Sequence, residues 1–180
     1  DADSPVPAAE RTGTGGGIVV HGHLVTGPNA VAGEWGHNPM PWPLPDEWPG
    51  PPCYCGRHGC IESFLSGTGL ARDHECYTGE RLSSEAIVEH AARLDTAAEA
   101  TLLRYEERMA RALSSVINLL DPDVIVLGGG LSKLDRLYEH VPPLLGRWVF
   151  TDRVDTKLLP PVHGDASGVR GAAWLWQPGE

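Results

Sequence analysis

Apolar residues come in short, separated runs along the chain, and each run carries its own period. Ile18-Val19-Val20 and Leu24-Val25 flank a His21-Gly22-His23 turn, which predicts a β-hairpin entered through Gly13-Thr14-Gly15-Gly16-Gly17. Residues 26–59 are rich in proline and glycine and show no apolar period, so they predict a long loop. From Cys60 the pattern turns helical, with Ile61, Phe64 and Leu65 on one face and Gly67-Thr68-Gly69 interrupting it. Ser83 or Ser84 can cap a helix carrying Ile87, Val88 and Ala91. Thr96 and Glu99 form a capping-box pattern that opens a long helix to about Leu120. Leu102, Met109, Leu113, Val116, Ile117 and Leu120 make its buried stripe, while Arg104, Glu106, Glu107, Arg108 and Arg111 predict a solvated face.

Asp121-Pro122 ends that helix, and Asp123–Leu127 predicts a short strand followed by Gly128-Gly129-Gly130. A helix over Leu134, Leu137 and Val141 is expected to break or kink at Pro142-Pro143. His163–Gly168 reads as a loop, and Val169–Trp176 as a last helix. Alternating strands and helices place the chain in the α/β class.

Composition narrows the picture. The chain has 180 residues, of which 41% are hydrophobic, enough for a core. A net charge of -10 disfavours nucleic acid and anionic membranes as partners. No run approaches the roughly 20 apolar residues of a membrane span, and no signal-peptide pattern is present. The start, Asp1-Ala2-Asp3, carries no initiator methionine and reads as part of a longer protein.

The chemistry concentrates in the middle of the loop. Cys53, Cys55 and Cys60 offer three sulfur donors, and His37 lies shortly upstream. Cys3His is a closed shell that structural zinc favours. Buried thiols, or a disulfide with one thiol left over, are the plainer readings, although a Cys53–Cys55 ring would be very tight. Glu34 and Glu62 flank the set and could hydrogen-bond a polar ligand. The glycine run at 13–17 lacks both the dinucleotide fingerprint and the Walker Gly-Lys-Ser/Thr, so a phosphate cradle and a simple hairpin entrance stand side by side. Gly128–Gly130 follow a strand end, where ligands of α/β sheets bind.

Four segments together resemble the ROK family of sugar kinases. They are Gly13-Thr14-Gly15-Gly16-Gly17, Gly33-Glu34-Trp35-Gly36-His37, Cys53-Tyr54-Cys55-Gly56 through Cys60-Ile61-Glu62, and Val126-Leu127-Gly128-Gly129-Gly130. The wording of residues 33–42 and 163–171 looks most like bacterial ROK fructokinases; the family's N-acetylglucosamine kinases usually carry Phe where Trp35 stands.

The resemblance implies an actin-like ATPase (ribonuclease-H-like) fold. Residues 12–180 would be the C-terminal lobe with an inserted zinc-binding loop at 33–62, and residues 1–11 an irregular arm left from a largely missing N-terminal lobe. It implies ATP-dependent phosphorylation of a hexose, fructose first, with glucose, mannose or an N-acetylhexosamine as alternatives. Glu34, His37 and Glu62 would bind the sugar. Gly13, Thr14 and Gly15 would hold the ATP phosphates, and Gly128, Gly129 and Gly130 the adenosine. Zinc on His37, Cys53, Cys55 and Cys60 would be structural, and Mg2+ would accompany ATP. A cytoplasmic homodimer is implied as well. Asp1-Ala2-Asp3 resembles the tail of the segment that carries the family's catalytic base, which would make Asp1 the base. The family's first phosphate motif is absent, so the chain alone is expected to be weakly active or inactive. A non-catalytic, zinc-stabilised sugar-binding or regulatory lobe is the alternative of a different class.

Overall fold

A computed structural model describes residues 13–162. Asp1 and the whole 1–11 arm, with the loop and last helix expected after His163, lie outside the described residues. The chain divides into two compact units, one of residues 1–39 and 43–86 and the other of 40–42 and 87–180.

The first unit holds the hairpin, the long loop and two helices. Strands β1 (Val19–Val20) and β2 (His23–Leu24) pair antiparallel, Val19 opposite Leu24 and Val20 opposite His23. His21 and Gly22 both take positive φ, 51° and 79°, which gives the two-residue turn whose twist matches a hairpin. The expected loop is a loop, tightened by two short 3-10 turns at Trp35–His37 and Pro45–Glu47. Helix α1 (Glu62–Leu65) follows, and Ile61, Phe64 and Leu65 are buried as the apolar pattern requires.

The Gly67-Thr68-Gly69 stretch does not interrupt the helical region but opens helix α2 (Gly67–Thr78). Ser66 is the reason: its hydroxyl accepts from the Gly69 N–H at 3.0 Å and caps the new helix. Gly69 must be small, since a Cβ there would sit 2.8 Å from the Ser63 and Phe64 carbonyl oxygens.

Helix α3 (Ser84–Ala92) starts where expected, with the Ser83 hydroxyl accepting from the Ala86 N–H at 3.2 Å. The division between the units falls inside it. Helix α4 (Thr96–Leu120) has the expected length but a different cap. Asp95 holds the start, its carboxylate accepting from the Ala97 and Ala98 N–H groups, and those bonds lower its pKa. Thr96 is therefore already helical, because a carboxylate one residue earlier satisfies the same orphan donors.

The expectation of a solvated polar face on α4 is wrong. Glu106 and Arg111 are 1% and 0% exposed, and Arg108 is buried too. Arg111 is held by Glu107 at 2.9 Å and by the Trp42 carbonyl at 2.7 Å. Glu106 pairs with Arg136 and His140 on helix α5 (Arg136–Leu145). That helix runs through Pro142 and Pro143 instead of breaking there. The two missing N–H groups fall in its last turn, while Leu137, Val141 and Leu145 bury one continuous face.

Strand β3 (Val124–Val126) pairs parallel with β4 (Lys157–Leu159), a strand the sequence pattern did not reveal. With α5 lying between them in the chain, they make a β-α-β unit, the α/β element expected. Gly128–Gly130 follow β3, Gly129 at φ 83°, and a Cβ on any of the three would meet open space. No helix of the described residues is long and apolar enough to cross a membrane.

Candidate sugar and metal site

Two glycines draw the hairpin entrance against the loop. The Gly16 N–H donates to the Gly33 carbonyl at 2.8 Å. Gly33 has φ 95°, and a Cβ on it would lie 1.9 Å from the Gly16 oxygen. A Cβ on Gly36 would lie 1.7 Å from the Thr14 carbonyl oxygen. The backbones touch at both places, so Gly13–Gly17 is a fixed turn held against Gly33 and Gly36, with Glu34 lining the same cavity.

Glu62 ties the same turn to α1. It is 8% exposed, and its Oε2 accepts from the Thr14 N–H at 2.9 Å. An open cavity of about 400 Å³ is lined by Gly13, Thr14, Gly15, Glu34 and Glu62 on one side. Pro52, Cys53, Tyr54, Ser63, Ser66, Thr68 and Arg72 complete it. Five of the expected ligand-binding residues thus share one cavity. Gly128–Gly130 belong to the other unit. Sequence reasoning gave no role to Tyr54 or Arg72. Arg72 donates to the Ser63 carbonyl, and burial lowers its pKa. One helical turn separates it from Thr68, which is the only sequence signal that it shares the cavity wall.

The four donor residues also converge. One ligand atom from each of His37, Cys53, Cys55 and Cys60 lies within 4.8 Å of the others. His37 Nδ1 is 3.6 Å from Cys53 Sγ, and Cys55 Sγ is 3.6 Å from Cys60 Sγ. Tetrahedral zinc, with Zn–S about 2.3 Å and Zn–N about 2.0 Å, has edges of roughly 3.8 and 3.6 Å. The donor set therefore fits a metal of that size, and Cys53, Cys55 and Cys60 are all free of disulfides. The bridge between Pro39 and Cys60 and the Ile61 N–H···O=C Asn38 bond of 2.9 Å hold the upstream and downstream halves together.

The thiols differ without the metal. Backbone hydrogen bonding from Arg57 pulls Cys55 down to about 7, while burial pushes Cys60 up to about 12. A cation in the set would favour thiolate at both. The second ring nitrogen of His37, Nε2, is 2.9 Å from the Tyr54 hydroxyl.

The model of the ROK family matches residues 6–178. The chain belongs to the ROK family. Its relatives include N-acetyl-D-glucosamine kinases of Photobacterium profundum, 39% identical over 168 residues, and of Erwinia tasmaniensis, 40% identical over 177 residues. Each match covers 91% of this chain and 55% of the relative, so the chain spans about half the length of these proteins. Among solved structures, a ROK glucokinase from Streptomyces griseus in complex with glucose and AMPPNP superposes with a TM-score of 0.78 at 28% identity, over 91% of this chain and 57% of that one. A ROK hexokinase from Thermus thermophilus gives 0.74 at 29%, over 90% and 53%. Sugar kinases of this family are therefore its structural neighbours, in line with the fold class the resemblance implied.

Proposed function

We propose that this chain is the sugar-binding lobe of a kinase that transfers the γ-phosphoryl group of ATP to a hexose hydroxyl. One observation carries the reading: a single cavity brings the glycine turn at Gly13–Gly15 together with Glu34, Glu62 and the metal loop. Glycine N–H groups suit phosphate oxygens, and carboxylates suit sugar hydroxyls. Little covalent chemistry is needed in phosphoryl transfer, so positioning of the two substrates is the main task.

In this reading Glu34 and Glu62 accept hydrogen bonds from sugar hydroxyls. His37 turns Nδ1 to the three sulfurs and Nε2 to the sugar. Zinc on His37, Cys53, Cys55 and Cys60 would be structural, fixing the tautomer and aim of the His37 ring. Gly128–Gly130 would face the adenosine, and Mg2+ bound with ATP would neutralise phosphate charge.

N-acetylglucosamine is the substrate the relatives favour, at 39% and 40% identity. Fructose is kept as a second reading for a specific reason: Trp35 stands where the family's N-acetylglucosamine kinases usually have Phe. The deciding experiment is ADP release with MgATP and a panel of N-acetylglucosamine, glucose, N-acetylmannosamine, mannose and fructose, beside calorimetric binding of each sugar. Highest turnover or tightest binding with N-acetylglucosamine supports the main reading. A preference for fructose transfers it to the second, and no binding of any hexose rejects both.

A further inference from the structure

Tyr54 stands between two sulfur donors, Cys53 and Cys55, so the metal loop fixes its backbone at the cavity wall. Tyr54 is 73% exposed and lines the same cavity as Glu34 and Glu62. It meets the His37 ring edge-on, with centroids 5.0 Å apart at 88°, and its hydroxyl lies 2.9 Å from His37 Nε2.

The direction of that hydrogen bond follows from the donor set. Nδ1 faces Cys53 Sγ at 3.6 Å, so it is the nitrogen that gives its lone pair to a metal. A neutral imidazole then keeps its proton on Nε2. The Nε2–H donates, and the Tyr54 oxygen accepts. Under the sugar-binding reading, on which this inference rests, the same N–H is what a hexose hydroxyl accepts from. One N–H serves one well-aligned acceptor at a time.

We propose that Tyr54 is a gate on the sugar site. Its phenol caps His37 in the sugar-free chain and must turn away for a hexose to bind, so Tyr54 sets the apparent affinity for every sugar that uses His37. The exposed face of the ring gives it solvent to turn into. The exposed hydrogen bond to His37 shifts the balance toward the capped form by a modest factor, about 2- to 10-fold. That factor is removed from the sugar affinity of the whole site.

Tyr54→Phe tests this, since it keeps the ring and removes the hydroxyl that accepts from His37. Two readouts are taken on the zinc-loaded chain. The first needs no sugar: the exchange rate of the His37 Nε2–H with water, followed by NMR, rises in the variant if the phenol caps it. The second is calorimetric binding of N-acetylglucosamine, which tightens about 2- to 10-fold at unchanged zinc content. An unchanged exchange rate overturns the cap. Faster exchange with equal or weaker sugar binding overturns the gate, because the phenol would then be a sugar contact. Loss of zinc in the variant would make Tyr54 a buttress of the metal loop and also overturn the gate. Faster exchange with no hexose bound by either protein would reject the sugar reading, and the gate with it.

Discussion

Gly36 decides how closely the glycine turn at 13–17 and the loop at 33–37 approach each other. A methyl group there would overlap the Thr14 carbonyl at 1.7 Å, and that neighbour is backbone, which cannot swing aside. Gly36→Ala is therefore expected to push Thr14 away, lose its bond to Glu62, and cost about 1–3 kcal/mol or more, as overpacking does. Gly128→Ala, where a Cβ meets open space, should leave the melting temperature almost unchanged and serves as the control. Thermal denaturation of both variants checks this. Cys55 is an exposed residue whose loss should nevertheless be severe. Cys55→Ala opens the closed donor set, so zinc content by elemental analysis should fall and stability should drop by several kcal/mol. Equal zinc and equal melting temperature would reject a structural metal. The donor set was legible in the sequence because its members are types with few other uses at such spacing. Tyr54 was not, because a tyrosine between two cysteines carries no signal of where its ring turns.

Helices α4 and α5 show what local pattern conceals. The length of α4 followed from its apolar stripe, but its charged face was misjudged because the partners lie on another element. Arg136 bonds both Glu99 oxygens at 2.8 Å and also bonds Glu106, while His140 Nδ1 is 3.0 Å from Glu106 Oε2. No periodicity of α4 alone can show that a cation thirty residues later will cover Glu106. Strand β4 was missed for a similar reason, since three residues carry too little pattern to separate a strand from a loop. Arg136→Ala leaves the Glu106 charge buried without its cation, and the expected cost is about 3–5 kcal/mol in denaturant unfolding. Glu99 contributes less, because its side chain is 39% exposed and solvent screens it. Hydrogen bonding to Arg136 lowers the Glu99 pKa below its ordinary 4.5. Its stabilising share is thus full above the unfolded-state value and is lost as pH falls through the lower folded one. The melting-temperature difference between the wild type and Glu99→Gln should accordingly be constant near neutrality and vanish in strong acid. A difference that grew on acidification would contradict the assignment.

Under the proposed reading, the loop of the Cys3His donor set is also one wall of the sugar cavity, so metal occupancy should couple to sugar binding. Pro52, Cys53 and Tyr54 line the cavity, and His37 contributes one nitrogen toward the sulfurs and the other toward Tyr54. Removing the metal should free this wall and unfix the His37 tautomer, while Glu62 and the glycine turn keep their direct 2.9 Å bond. Chelation is expected to weaken hexose binding by about 10-fold or more, the scale seen when support of a metal-held ligand is lost. Most of the helical signal in circular dichroism should persist, since α4, the longest helix, belongs to the other unit with its own buried stripe. Readdition of zinc should restore both binding and melting temperature. If sugar affinity survives chelation while zinc is lost, the metal loop is a staple that does not shape the sugar site, and His37 is then not aimed by it. If affinity and zinc fall together at constant helicity, the local fold of residues 33–62 is what makes a hexose fit. The chain spans about half the length of its relatives, so this binding measurement tests the chain's own chemistry without requiring complete catalysis.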